Sequence, residues 1–134
     1  MKILHSPEQL NKLCKIDILS KDLRKALTFT YILEKSKKSA AIITNIKTSV
    51  VKLENIVQEE LGKYDDYIGK KCLIPIENTI KIDNGYITEY KYVEGRIISK
   101  PQLDRNELYS SVEFTDDDGF RQIVCNNLKD LKDI

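Results

Sequence analysis

This sequence has no tryptophan, one histidine, one methionine, three prolines and five glycines. A lone imidazole, His5, excludes any site that needs several of them, and its place near the start makes it an expected mobile residue. Cysteine is scarce as well. Cys14, Cys72 and Cys125 lie more than fifty positions apart, so they offer neither a zinc-ligand spacing nor a disulfide framework, and their odd number would leave one thiol over. Their neighbours ("NKLCKI", "KKCLIPI", "QIVCNN") are those of packed thiols, not of nucleophiles. No apolar run reaches the roughly 20 residues that span a bilayer, and "MKILHSPEQL" is too poor in apolar residues for a secretory core. A soluble, cytoplasmic protein is expected. Charge of one sign is missing too: the net charge of +1 excludes an inhibitor that mimics DNA by dense negative charge.

Two further absences concern metal and catalysis. In "TDDDGF" a calcium loop with Gly119 at its sixth position would begin at Phe114 and end at Cys125, neither of which can serve as the required ligand. The acids there are expected to be hydrated turn residues, and Asp65-Asp66 a hydrated linker. No cofactor, metal site or catalytic constellation is expected, and the chain is expected not to be an enzyme.

What is present is segregated. Between Lys12 and Lys52 stand ten Lys or Arg against three acids, after which Glu54, Glu59, Glu60, Asp65 and Asp66 reverse the sign. Ser6, Pro7 and Gln9 form a helix start of the capping-box kind, and a short helix to about Lys15 is expected. Ser20 with Asp22 reads as a second cap. From Ser20 to Leu61 no Gly or Pro intervenes, and Ile43, Ile46, Val50, Leu53, Val57 and Leu61 recur at steps of three and four. On a helix they draw one stripe, the pattern of a bundle interior or coiled-coil seam. A single helix of that length would run roughly 60 Å by the rise per residue, too far for a small domain to cover. It therefore either breaks near "EKSKKSA" into a helical hairpin or pairs with a second chain, a dimer being favoured.

After Gly62 the period changes from helical to alternating. "KKCLIPI" reads as a short strand with Pro75 at an edge or bulge, and Asn84-Gly85 in "TIKIDNGYITEY" signals a type I′ hairpin turn. The second strand continues to about Ser99 with a bend at Gly95. "PQLDRNE" reads as a loop, "LYSSVEFTDDDGFRQIVC" as a second hairpin around Asp118-Gly119, and "NNLKDLKDI" as a short turn or frayed end. Strict alternation puts Tyr86, Tyr90 and Tyr92 on one strand face and Ile87, Val93 and Ile97 on the other. The aliphatic set makes the better interior. The tyrosine row then either packs under the helices or stands free as a partner-binding or base-stacking surface.

The order of strand, glycine bend, acidic hairpin, strand and closing turn over about residues 67–131 resembles the small barrels of the Tudor and chromatin-reader kind, and equally admits an oligonucleotide-binding type of barrel. That resemblance implies binding by a face or its loops, not chemistry. The expected fold is α+β: a helical region over 1–62 and a small antiparallel β-barrel over 63–134. The expected function is that of a non-enzymatic interaction, adaptor or inhibitor protein that self-associates through the helix stripe and binds a protein partner by its tyrosines. Its Lys-, Ile- and Asn-rich composition suggests an AT-rich genome, as of a phage or mobile-element accessory factor acting on a host. The alternative is a nucleic-acid-binding accessory protein with Arg24, Lys25, Lys35, Lys37 and Lys38 on phosphates and the barrel as a second contact.

Overall fold

A computed structural model describes the backbone of residues 1–33 and 37–134, with side chains for 1–29 and 40–134. The chain divides into two compact units, one of residues 5–63 and one of residues 1–4 with 64–134.

The first unit is a pair of helices, α1 (Pro7–Leu33) and α2 (Lys37–Gly62). At the start of α1 the Gln9 amide donates to Ser6 Oγ (3.2 Å) while the Ser6 amide donates to Gln9 Oε1 (2.8 Å), the reciprocal cap that the sequence implies. The expected break before Ser20 does not occur. Ser20 is buried within α1, and its hydroxyl donates to the Asp17 carbonyl (2.7 Å), so the helix itself satisfies the group that would otherwise cap a new one. The two helices contact each other, and Leu10, Leu13, Cys14 and Leu27 of α1 and Val50, Val57 and Leu61 of α2 are buried. The break expected at "EKSKKSA" falls partly on residues 34–36, outside the described residues.

The second unit is a five-stranded antiparallel sheet: β1 (Lys71–Ile82), β2 (Gly85–Ile97), β3 (Gln102–Asp104), β4 (Glu107–Thr115) and β5 (Arg121–Asn127). β1 and β2 pair along their whole length, from Lys71↔Arg96 to Ile82↔Gly85. β4 is the hub. It meets β2 only at Arg96↔Glu113 and Ile97↔Val112, meets β3 lower down, and carries β5 on its other side from Tyr109↔Asn127 to Thr115↔Arg121. The core lies where these strands converge, with Cys72, Ile74, Ile97, Leu108, Val112, Leu128 and Leu131 buried.

The sheet is not closed into a barrel. After β5 a short 3₁₀ turn (Leu128–Asp130) returns the chain to β1, but there Lys132 and Leu73 form one isolated bridge in place of a strand-to-strand ladder. Closure fails because that bridge is not extended into a ladder; beyond the core β1 and β2 run on as a ribbon that, among the described residues, no other strand joins. The C-terminal segment is nonetheless not frayed: Leu128 and Leu131 are anchored in the core.

Candidate functional site

The feature that stands apart is the far half of the β1–β2 hairpin. From Glu77↔Tyr90 to the closing pair Ile82↔Gly85, six residue pairs extend beyond the core as a two-stranded arm of roughly 20 Å by the strand rise. The arm exists because β-rich runs flank a tight turn at Asp83 and Asn84. Positive φ occurs at Gly85 (+141°) and not at Asn84, so this is not the type I′ turn that the dipeptide suggests. A turn with positive φ at both central residues lies instead at Arg105 and Asn106 (+49° and +64°), between Asp104 and Glu107, where the sequence reads as plain loop.

The register gives the arm two distinct faces. On one, Tyr86 lies opposite Lys81, Thr88 opposite Thr79, Tyr90 opposite Glu77 and Tyr92 opposite Pro75. The tyrosines are open to solvent, at 71%, 68% and 41% exposure for Tyr86, Tyr90 and Tyr92. On the other face Ile80 pairs with Ile87 near the tip, and Ile80, Ile82 and Ile87 are exposed too. The interior expected of Ile87, Val93 and Ile97 is thus graded along the strand: Ile97 is buried, Val93 half-buried and Ile87 exposed.

At the root of the tyrosine face, Pro75, Tyr90, Tyr92, Lys129, Asp130 and Lys132 line a cleft of about 350 Å³. The Lys132 ammonium lies 4.0 Å from the Tyr92 ring centroid, a cation–π contact. Lys129 is committed elsewhere, to the Glu107 carboxylate, which also accepts from Asn127 and from the Tyr109 hydroxyl. The Lys129 ammonium holds the Glu107 carboxyl below the usual range, and Glu107 in turn pushes Lys129 up. The cleft is therefore an aromatic groove with one cation on the Tyr92 ring, suited to a planar or extended ligand and not to a bare cation.

Gly95 marks where β2 leaves the core. A methyl group there would fall well inside contact distance of the Ile74 side chain and the Glu113 carbonyl. The bend expected at this residue is in fact a close crossing of strands. At the far hairpin, Asp116 is not merely hydrated: its Oδ1 accepts from the amides of Asp118 (3.0 Å) and Phe120 (2.8 Å), and its Oδ2 from Gln122 Nε2 (2.9 Å). The Gln122 hydrogen bond leads in depressing its pKa.

In the helical unit, the stripe expected to self-associate lies on α2. Val50, Val57 and Leu61 are buried and Ile43, Ile46 and Leu53 half-buried, and α1 and α2 of the same chain contact each other. Of the residues proposed for phosphate contact, Arg24 donates through Nε and Nη2 to Glu54 Oε1 (both 2.6 Å) and Lys25 is exposed. Lys35, and the side chains of Lys37 and Lys38, lie outside the described residues. His5, expected to be mobile, is buried, with Nε2 2.5 Å from Glu60 Oε2; that bond, with Lys63 next, lowers the Glu60 pKa. Cys14 and Cys72 are packed as expected, but Cys125 is exposed. Burial pushes the Cys72 thiol up, away from the thiolate.

Among the described residues no group of three or more His, Cys, Asp or Glu stands where one metal ion could be shared, and no helix is long and apolar enough to cross a membrane. Comparison of the chain with protein families, curated proteins and solved structures gives no match.

Proposed function

We propose that this chain is a non-enzymatic interaction protein that engages a partner protein through the β1–β2 arm. The observation that carries the reading is the row of three exposed tyrosines on a ribbon that projects from the core. Tyrosine offers large contact area with few rotors to freeze and a polar tip, which is why it concentrates at interfaces. An accessory role against a host system, as of a phage or mobile-element product, is the setting suggested by the composition.

The test is affinity capture from candidate host lysates with the wild-type chain and a Tyr86→Ser/Tyr90→Ser variant as parallel baits, analysed by mass spectrometry. The reading expects a protein retained by the first and lost by the second. Identical captures from both would sink it.

A second reading rests on the lysines among the tyrosines, Lys132 over Tyr92 and Lys81 opposite Tyr86. Aromatic stacking with backbone neutralisation is how single-stranded nucleic acids are held without sequence preference. Labelled single strands that migrate unchanged with the protein at low salt would remove it.

A further inference from the structure

We infer that the outer edge of β2 is a homodimerisation edge, on which a second copy of this chain adds its own β2 antiparallel, with the two-fold axis at Tyr90. β2 is bonded to β1 along one side, but on the other, among the described residues, only Arg96 and Ile97 meet β4, and the stretch from Tyr86 to Glu94 keeps that side unpaired by any strand. The pair that closes a two-residue turn exchanges hydrogen bonds, and the exchange then alternates down the ladder. Starting from Ile82↔Gly85, this turns the N–H and C=O of Tyr86, Thr88, Tyr90, Tyr92 and Glu94 outward. The same alternation turns Leu73 outward on β1, which is where Lys132 bonds to it through both backbone groups (2.8 and 3.1 Å).

The two edges of the arm are not equivalent. The outward row of β1 is Pro75, Glu77, Thr79 and Lys81, a sequence blunted by proline and by charge, as sheet edges usually are. The outward row of β2 has no proline and, from Tyr86 to Tyr92, no charge. It is the edge without protection.

Its sequence is complementary to itself in one register. Pairing about Tyr90 sets Glu89 opposite the partner's Lys91 and Lys91 opposite the partner's Glu89, Ile87 opposite the partner's Val93, and Thr88 opposite the partner's Tyr92. The Glu–Lys and Ile–Val pairs fall at the positions that exchange no hydrogen bonds, where facing side chains come closest. Shifting the axis to Glu89 or to Lys91 sets like charges face to face. Shifting it to Thr88 puts Ile87 against the partner's Glu89, and to Tyr92 puts Lys91 against the partner's Val93. In the monomer the counter-ion of Lys91 among the described residues is the distant and exposed Asp117, at 3.9 Å, which it can exchange for Glu89 of the other copy.

The result is a four-stranded sheet in which the tyrosine rows of both copies form one continuous face. The pairing uses the backbone edge and does not depend on the partner-binding reading, though it would double the surface that reading invokes.

Sedimentation velocity across a concentration series tests it on the full chain. The wild type is expected to dimerise, and Glu89→Lys or Lys91→Glu alone to weaken the dimer by about tenfold or more through facing like charges. Mixing those two variants is expected to restore it as a heterodimer, because each then supplies the charge that the other lacks. Tyr90→Pro removes an N–H that β1 does not use, so it should give a monomer whose thermal melt matches that of dilute, monomeric wild type. A wild type that stays monomeric at high concentration overturns the inference, as does a dimer indifferent to all three substitutions. A dimer that captures no protein leaves the pairing standing and removes only the partner reading; a monomer that captures one does the reverse.

Discussion

The root and the tip of the β1–β2 hairpin are built from the same kind of residue and meet opposite fates. At the root Ile74 and Ile97 are fully buried, whereas at the tip Ile80, Ile82 and Ile87 are exposed, although alternation and β-propensity are alike in both. What separates them is whether a third element arrives. β4, the C-terminal segment and the 3₁₀ turn all converge on the root, and nothing in the sheet unit pairs with the tip. Burial in this sheet is thus decided by long-range pairing, not by the strand's own pattern.

The sharpest way to exploit that contrast is to truncate one isoleucine at each end. Ile74→Ala is expected to cost about 2–5 kcal/mol, the range for opening a cavity in a packed core, while Ile80→Ala should stay within about 0.5 kcal/mol as surface changes do. Urea titration of both variants measures the difference, and equal losses would mean the arm is packed after all. Next in size, Gly95→Ala should destabilise by about 1–3 kcal/mol through overpacking at the crossing, whereas a Tyr86→Ala control on the arm should leave the melting temperature nearly unchanged. The smallest effect concerns Ser110, whose buried hydroxyl makes no hydrogen bond. Ser110→Ala should be neutral or stabilising by up to about 1 kcal/mol, because it removes an unsatisfied polar group from the root. A marked loss of stability in thermal melts would show that this hydroxyl has a partner.

The parts of this architecture that sequence reveals are those fixed within a few residues. Ser6 and Gln9 cap a helix that starts between them, and the alternation of Tyr86, Tyr90 and Tyr92 needs no knowledge of the rest of the fold. Errors begin where a distant contact decides. Ser20 has the chemistry of a cap, but it is buried mid-helix with its hydroxyl bonded to the Asp17 carbonyl. Arginine at position 105 is no turn signal, yet the short register between β3 and β4 forces it and Asn106 into the left-handed region. Barrel closure has no local signature: it depends on whether Leu73 and Lys132 begin a ladder or stop at one bridge. His5 is buried, and its bonded partner Glu60 stands fifty-five positions away.

The two-residue junction of β2 with β4 has a consequence for the entropy of docking. Because β1 already fixes the backbone of Tyr86–Glu94, any strand that joins the free edge meets a template whose ordering cost has been met within its own chain. Only the incoming segment loses freedom. When that segment is another copy of the same arm, it is equally ordered beforehand, and neither side gives up backbone conformations to associate. A ribbon with one bonded side is thus a preorganised half-interface, and a two-stranded element that is marginal alone gains most from being doubled.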